Sequence, residues 1–485
     1  MPEYNFRKSG RVSSKNLFNV PVVEPSISPQ KFWKEVISKR MPALITGHLT
    51  DPEWKGSTLW TNDYLRSRSG NEVVRVEYRQ RSNEVSTSLR RFGNGLEQRI
   101  EFSKFIDILD GKIQSNNDYY LTTQELKHNE EGQPSLTSPP VTALIGDFPL
   151  CPRIMGNLIL SNANIWMGSS IKNVGTENKQ CETSSGLHHD YHDNLYLLLR
   201  GRKRLVLYPP QQAYNLYTHG TIAHIHENGL INYAPANSAH KGPTSHADGS
   251  DLASSKAMAA SQRLMQAGAR LGEGSENDSA EDEIDAALEA LLDAEMEGVD
   301  DDEEEEDDEE EEDDEKEEED DEEEKITGTK RSRESAILEA FAGSKASRSA
   351  VAQALATSLT RTSGREQPTT TRSRAVDETS QSATSAEPPN FSRIDTSAPA
   401  SQTKKLFPKF REAEKHRLEI EVNAGQMLYL PAGWFHEVFS SSDGQSSGHC
   451  AFNMWFHPPD NHDYRKPYVS EFWAQDMKAR KAQKP

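Results

Sequence analysis

Three side chains far apart in the sequence carry the chemistry to share one metal ion. They are His188 and Asp190, in Gly186-Leu-His-His-Asp-Tyr-His-Asp-Asn194, and His436, in Pro431-Ala-Gly-Trp-Phe-His-Glu-Val438. Two imidazoles and one carboxylate can occupy one face of an octahedral ferrous ion and leave its other positions open to cosubstrate and oxygen. Residues i and i+2 of an extended strand project to the same side, so His188 and Asp190 can reach one ion from one strand, while the third donor must come from elsewhere in the fold. Gly425-Gln-Met-Leu-Tyr-Leu-Pro431 reads as a short apolar strand closed by a turn, and His436-Glu-Val-Phe439 resumes strand-like composition. On the same parity His189 and Asp193 are out of phase and are expected to face solvent, whereas His192 is in phase and is a runner-up for work at the metal. His224 and His226 also have ligand-like spacing and read as loop residues near the mouth of the site.

The elements that must position these residues are legible around them. Asn194–Arg200, Gly201 and Arg202–Tyr208 form a strand, a tight turn and a second strand stopped by Pro209-Pro210. Together with Ala163-Asn-Ile-Trp-Met-Gly168 and Ala451-Phe-Asn-Met-Trp-Phe456, they resemble the JmjC family of 2-oxoglutarate oxygenases, and within it the small protein hydroxylases of the factor-inhibiting-HIF-like asparaginyl type and the Jumonji-domain-7-like lysyl type. The resemblance covers roughly residues 28–235 and 405–460, and its motifs match in order as well as in type.

The resemblance implies that His188, Asp190 and His436 are the iron ligands and that 2-oxoglutarate and O2 are the cosubstrates. It aligns Lys203 with the lysine that pairs with the distal carboxylate of 2-oxoglutarate, a role that suits a buried cation facing a dianion. Read without the family, Arg200-Gly-Arg-Lys-Arg204 would be a solvated hairpin tip. Tyr120 matches the tyrosine that binds the same carboxylate, with Tyr119 one residue away in register. Asn194 and Asn453 match the two asparagines lining the cosubstrate pocket; on residue type alone Asn194 could simply end a loop and Tyr120 could be a core aromatic. Ser185 stands where relatives commonly carry threonine. Trp434 and Trp455 read as packing residues.

Composition bounds the class. No stretch resembles a secretory signal or offers the roughly 18 apolar residues of a membrane span. Cys151, Cys181 and Cys450 are too few and too scattered for a disulfide framework or a zinc site, which fits a reducing, intracellular setting, cytoplasmic or nuclear. The net charge of −22 is local: 24 of the 25 residues from Asp300 to Glu324 are acidic, leaving the rest of the chain near neutrality and giving no reason to expect nucleic-acid binding. The acidic run suits a basic protein partner.

That run lies in a segment, residues 238–404, rich in Ser, Thr, Ala and acidic residues and poor in aromatics. Such a composition buries too little apolar surface to offset ordering entropy, so a mostly disordered insertion is expected, with two stretches of helical pattern at 281–293 and 334–359. Closure entropy grows only logarithmically with loop length, so a domain can tolerate it. The expected architecture is therefore mainly β: a double-stranded β-helix, the cupin-like jelly roll. Residues 1–27 form an extension, 28–237 the first part of the domain with an α/β collar that includes a helix at 28–39, 405–460 the second part, and 461–485 a tail ending in a helix. The implied activity is hydroxylation of a protein side chain with release of succinate and CO2. Histone lysine demethylation uses the same chemistry, and a non-catalytic platform built on the acidic insertion is the reading from another class.

Overall fold

Every second residue of Leu418–Asn423 is apolar, and the segment buries Leu418, Ile420 and Val422 while Glu419, Glu421 and Asn423 stay exposed, as a strand with one face on a core must. Such periods run through the computed structural model, which describes residues 20–80, 96–128, 134–168, 183–235, 242–272, 283–290, 387–441 and 448–482. In chain order the strands are β1 (Val22–Val23), β2 (Ala43–Ile45), β3 (Val73–Gln80), β4 (Leu96–Glu101), β5 (Asn117–Leu121), β6 (Leu160–Gly168), β7 (Thr183–Ser184) and β8 (His188–His189). They continue as β9 (Asp193–Arg200), β10 (Arg202–Tyr208), β11 (Ile222–Ile225), β12 (Ile231–Tyr233), β13 (Leu418–Asn423), β14 (Met427–Leu430), β15 (Phe435–Ser441) and β16 (His449–Phe456).

These strands make the expected cupin-like jelly roll. A 9-stranded sheet runs β1-β2-β14-β9-β16-β6-β5-β3-β4, and a 5-stranded sheet runs β13-β10-β15-β7 with β8 also on β15. Between the sheets, Leu198, Leu428, Leu430 and Ala451 of the large one pack against Leu205, Leu207, Leu418, Ile420 and Val422 of the small one. The opposite face of the small sheet is covered as well, since Val206, Tyr208 and Phe435 pack with Leu187, Ala213, Leu216 and Ile231. The inner face of β10 therefore carries Lys203, Leu205 and Leu207.

The collar forms as its sequence predicts. Ser28 caps the helix Pro29–Glu35 by accepting from the Lys31 N–H at 3.3 Å, and proline fills the first turn, where no amide is needed. The helix is shorter than residues 28–39; a 3-10 turn over Ile37–Lys39 completes it and ends in Arg40, whose φ of 52° is left-handed. Arg40 then forks onto Asp193 at 2.6 and 2.5 Å. The same carboxylate accepts from the Tyr429 hydroxyl at 2.6 Å and the Ala432 N–H at 3.0 Å. Asp193 and His189 are fully buried, against the expectation that they face solvent. Strand parity failed here because the chain bends between β8 and β9, and because both faces of the small sheet are covered.

The expected insertion is narrower than 238–404. Two compact units are defined, one comprising Met1–Lys127, Ser135–Gly249 and Pro368–Pro485, the other His128–Pro134 and Ser250–Gln367. Residues up to Gly249 belong to the first unit, where the Trp473 indole donates to the Asp248 carbonyl at 2.9 Å. So do Asn390, Ser392 and Ile394, which are buried, and the helix Ala400–Leu406. The second unit contains the helix Leu252–Gly272 and a helical stretch over 283–290, inside the predicted 281–293, with Ile284 and Leu288 buried. The acidic run 300–324, the predicted helix 334–359, Cys181 and the extension 1–19 lie outside the described residues. The tail helix is Phe472–Ala482. No described helix is long and apolar enough to cross a membrane.

Removing one member of a buried ion pair strands the other, at a cost of about 3–5 kcal/mol. Asp193→Ala should lower the unfolding free energy by that amount in urea titration; a loss under about 1 kcal/mol would show that Arg40 finds another anion.

Candidate metal centre and anion pocket

The site is built on the pairing of β8 with β15, whose register sets His188 directly opposite His436. Cross-strand partners put their side chains on one face, and the two imidazole centroids are 4.3 Å apart. His188 directs Nδ1 to the Gly186 carbonyl at 3.0 Å, and His436 directs Nδ1 to the Trp434 carbonyl, also at 3.0 Å. A carbonyl only accepts, so each Nδ1 carries a proton, and in a neutral ring the Nε2 lone pair is then the free one. Those lone pairs point at Asp190, whose carboxylate oxygens lie 3.9 Å from His188 Nε2 and 3.8 Å from His436 Nε2. Burial and the neighbouring His436 hold the His188 pKa well below the ordinary imidazole value, so the ring is neutral.

Three acceptors thus converge, with all donor atoms within 4.8 Å of one another. Neutral imidazole nitrogens and a carboxylate without an intervening hydrogen repel one another, and a cation is what relieves this. The set fits a divalent metal, and the two carbonyls play the orienting part that metal-bound histidines require. The turn before β15 completes it: the Gly433 N–H donates to the Asp190 carbonyl at 2.9 Å. Only glycine serves there, because its φ is +77° and a Cβ would come 1.9 Å from the Gly229 oxygen.

A second group of polar residues shares the space between the sheets. Along β15, His436, Val438 and Ser440 lie on one face, and Ser440 stands opposite both Lys203 on β10 and Thr183 on β7. Lys203 is fully buried and donates to Ser440 Oγ at 2.5 Å. Among the described residues no carboxylate lies within ion-pair reach of it, and burial pulls its pKa down to about 7. A buried ammonium in that condition calls for an anion. Tyr120 faces it, with the ammonium 5.7 Å from the ring centroid. Burial, with Glu77 nearby, raises the Tyr120 pKa and keeps its hydroxyl a donor. Tyr119, its neighbour in register, packs instead on Tyr78, with ring centroids 6.1 Å apart.

Asn194 and Asn453 also meet. Asn453 Nδ2 donates to Asn194 Oδ1 at 3.1 Å, and the Trp166 indole donates to Asn453 Oδ1 at 2.8 Å. Ser185 is placed differently from its expected role: its hydroxyl accepts from the Val438 N–H and donates to the Gly186 carbonyl, both at 3.0 Å, fastening the approach to β8. A second hydroxyl in the row of Lys203 and Ser440 is that of Thr183, whose Oγ1 is buried and has no hydrogen-bond partner among the described residues. His449 is the other residue that motif reading missed. Both its ring nitrogens are buried without partners among the described residues, and its ring centroid is 5.5 Å from that of Tyr120. It lies four residues before Asn453 on β16, so strand parity alone could have found it. Across from it, a Cβ at Gly168 would sit 2.7 Å from Tyr120 and 2.9 Å from His449, so the bare glycine keeps the pocket floor open.

The other histidines singled out in the sequence lie outside the donor set. His192 stacks on Trp455 at 6.0 Å and is not in the donor set. His224 sits on β11 beside His226, with centroids 4.6 Å apart, and they join no cluster of metal-ligand geometry among the described residues. Trp434 packs, with its indole donating to the Arg40 carbonyl at 2.9 Å.

The fold is that of a cupin-like domain carrying a His-Asp-His group that could hold one metal ion, and the profile of the cupin-like domain family matches residues 29–462. The chain is 31% identical over 482 residues to the JmjC domain-containing protein 4 of Schizosaccharomyces pombe, covering 94% of this chain and 89% of that protein. It is 24% identical over 206 residues to the bifunctional peptidase and (3S)-lysyl hydroxylase JMJD7 of Homo sapiens, covering 42% of this chain and 59% of that one. Over 192 residues it is 27% identical to JmjC domain-containing protein E of Dictyostelium discoideum, covering 37% and 49%. The chain belongs to the cupin-like JmjC-domain family, which includes 2-oxoglutarate oxygenases.

Two measurements follow. Asp190→Ala should abolish Co(II) uptake in an oxygen-free titration while the far-ultraviolet dichroism stays unchanged, because the carboxylate is a donor and not part of the core; retained uptake would place the metal elsewhere. The second concerns pH. Burial lowers the pKa values of His188, His189, His449 and His457, that of His189 to about 4. Below about pH 6.5 the unfolded chain binds protons that the folded one refuses, so stability is whole above that pH and declines beneath it. Urea titration of metal-free protein should show a loss of at least about 1.4 kcal/mol per pH unit between pH 6 and 5; a flat profile would mean these rings are protonated in the fold.

Proposed function

We propose that this chain is an Fe(II)- and 2-oxoglutarate-dependent oxygenase that hydroxylates a protein side chain with O2, releasing succinate and CO2. The observation that carries the reading is the pairing of two needs on one inner face: a set of convergent acceptors that requires a cation, and a buried ammonium that requires an anion. Four residues of β15 separate His436 from Ser440, about 13 Å along the strand. His436 and Lys203 both reach inward from this spacing. A cosubstrate that touches a metal at one end and an ammonium at the other is a dicarboxylate or close to one.

His188, Asp190 and His436 would hold the iron, which when bound supplies the oxidising chemistry that couples decarboxylation of 2-oxoglutarate to insertion of one oxygen atom into a C–H bond. The protein's part is to bind and orient. Lys203 and the protonated Tyr120 hydroxyl would grip the distal carboxylate, with the Thr183 hydroxyl beside them in the row of Ser440 and His449 beside Tyr120. Asn194 and Asn453, joined to each other and to Trp166, would line the wall, and Ser185 would act by fixing the approach to β8. Leu205, Leu207 and Val438 exclude water from the gap, which strengthens each charged contact.

Support for a protein substrate comes from the human relative named as a (3S)-lysyl hydroxylase. The acidic run 300–324 would suit a basic partner, recruited near the site or held apart from it. An intracellular setting fits the three scattered cysteines.

Lys203→Ala should raise the 2-oxoglutarate concentration needed for succinate formation by the equivalent of roughly 2–5 kcal/mol, with Co(II) affinity unchanged. Peptides hydroxylated by the wild-type chain should lose the added oxygen mass when the variant replaces it. An unaltered 2-oxoglutarate dependence would return Lys203 to a structural role and overturn the reading.

A further inference from the structure

The downstream end of the expected insertion reaches the metal centre. His188 and Phe391 form an antiparallel bridge, on the side of β8 away from β15. The His189 N–H donates to the Asn390 carbonyl at 3.3 Å, the Ser392 N–H to the Leu187 carbonyl at 2.8 Å, and Asn390 Nδ2 to the His189 carbonyl at 2.6 Å. This lays the Phe391 ring flat on the His188 imidazole, with centroids 4.6 Å apart and planes 9° from parallel.

The segment is anchored independently of β8. The Gly220 N–H donates to the Pro389 carbonyl at 2.9 Å, the His219 N–H to the Phe391 carbonyl at 2.8 Å, and the Arg393 N–H to the Tyr217 carbonyl at 2.8 Å. Thr396 Oγ1 donates to one Glu437 oxygen at 2.5 Å, and Ser184 Oγ to the other at the same distance. Residues 389–396 are thus a strap, fixed to the loop before β11 and to β15, with a single aromatic ring set against a metal-ligand candidate.

β8 is only two residues long and cannot hold an imidazole plane by itself. The Nδ1 hydrogen bond to Gly186 fixes the tautomer but leaves the ring able to tilt about that contact. A stacked ring removes the tilt. We propose that Phe391 is a positioning residue of the metal centre, which sets the plane of His188 so that Nε2 stays aimed at the ion; this rests on the reading of His188 as a metal ligand. The strap supplying it is the downstream end of the expected insertion, so the seating of residues 389–396 and the metal affinity are linked.

The test uses the full-length chain titrated with Co(II) under nitrogen, followed by calorimetry and by the visible ligand-field bands. Phe391→Ala is expected to weaken Co(II) binding by roughly 10–100-fold, the range for residues that orient metal ligands, and to change the band shape, which a purely structural contact would not. Phe391→Leu keeps the volume without the flat face and covers the case in which the alanine variant does not fold; about a 10-fold weakening is expected. Phe391→Tyr keeps the face and should restore wild-type affinity and bands. If wild type binds Co(II), His188→Ala does not, and Phe391→Leu matches wild type in affinity and spectrum, the proposal is overturned alone. If wild type takes up no Co(II), the metal reading is overturned and the proposal with it.

Discussion

Three lone-pair donors with no proton among them do not gather on their own, and the fold around His188, Asp190 and His436 is organised to make them. Two backbone carbonyls fix the tautomers, the β8–β15 ladder sets the imidazoles directly opposite each other, and the Gly433 amide holds Asp190 through its own carbonyl. Further out, Arg40 and Asp193 tie the collar, the start of β9 and the turn before β15 into one buried network. Each layer restricts the one inside it. Without a cation in the middle the arrangement costs free energy, and that cost is the physical argument that the site is made for one.

The anion pocket follows the same logic with the sign reversed. Lys203 is drawn into the space between the sheets by strand parity with Leu205 and Leu207, and no described carboxylate meets it there. Its cost is compatible with a stable domain because the ammonium keeps a hydrogen bond to Ser440 and because the surrounding apolar core is large. His436 and Ser440 share one face of β15, with His188 opposite the first and Lys203 opposite the second, so the two halves border one space between the sheets.

Much of this was legible in the sequence because it depends on local periodicity. The parity of His188 with Asp190, the turn at Gly201 and the alternation in Leu418–Asn423 each follow from the two-residue repeat of a strand. What the sequence hid depends on where the chain bends or returns. His189 and Asp193 were assigned to solvent because parity was carried through the break between β8 and β9; both are buried. Ser185 carries the expected hydroxyl, but a bend turns it to the backbone of β15 and leaves Thr183 in the row of Lys203. Phe391 left no signal at all, since averaging composition over 238–404 submerged a short structured return in its polar surroundings. His449 is marked only by its parity with Asn453 on β16 and belongs to no recognisable motif.

The proposed function requires one metal ion among His188, Asp190 and His436, with 2-oxoglutarate reaching from it toward Lys203. Anomalous diffraction at the iron edge, from crystals grown without oxygen in Fe(II) and 2-oxoglutarate, tests this directly. The account requires one peak within bonding distance of both Nε2 atoms and the Asp190 carboxylate, with dicarboxylate density ending at the Lys203 ammonium. A peak elsewhere, or density that leaves Lys203 without an anion, would contradict it.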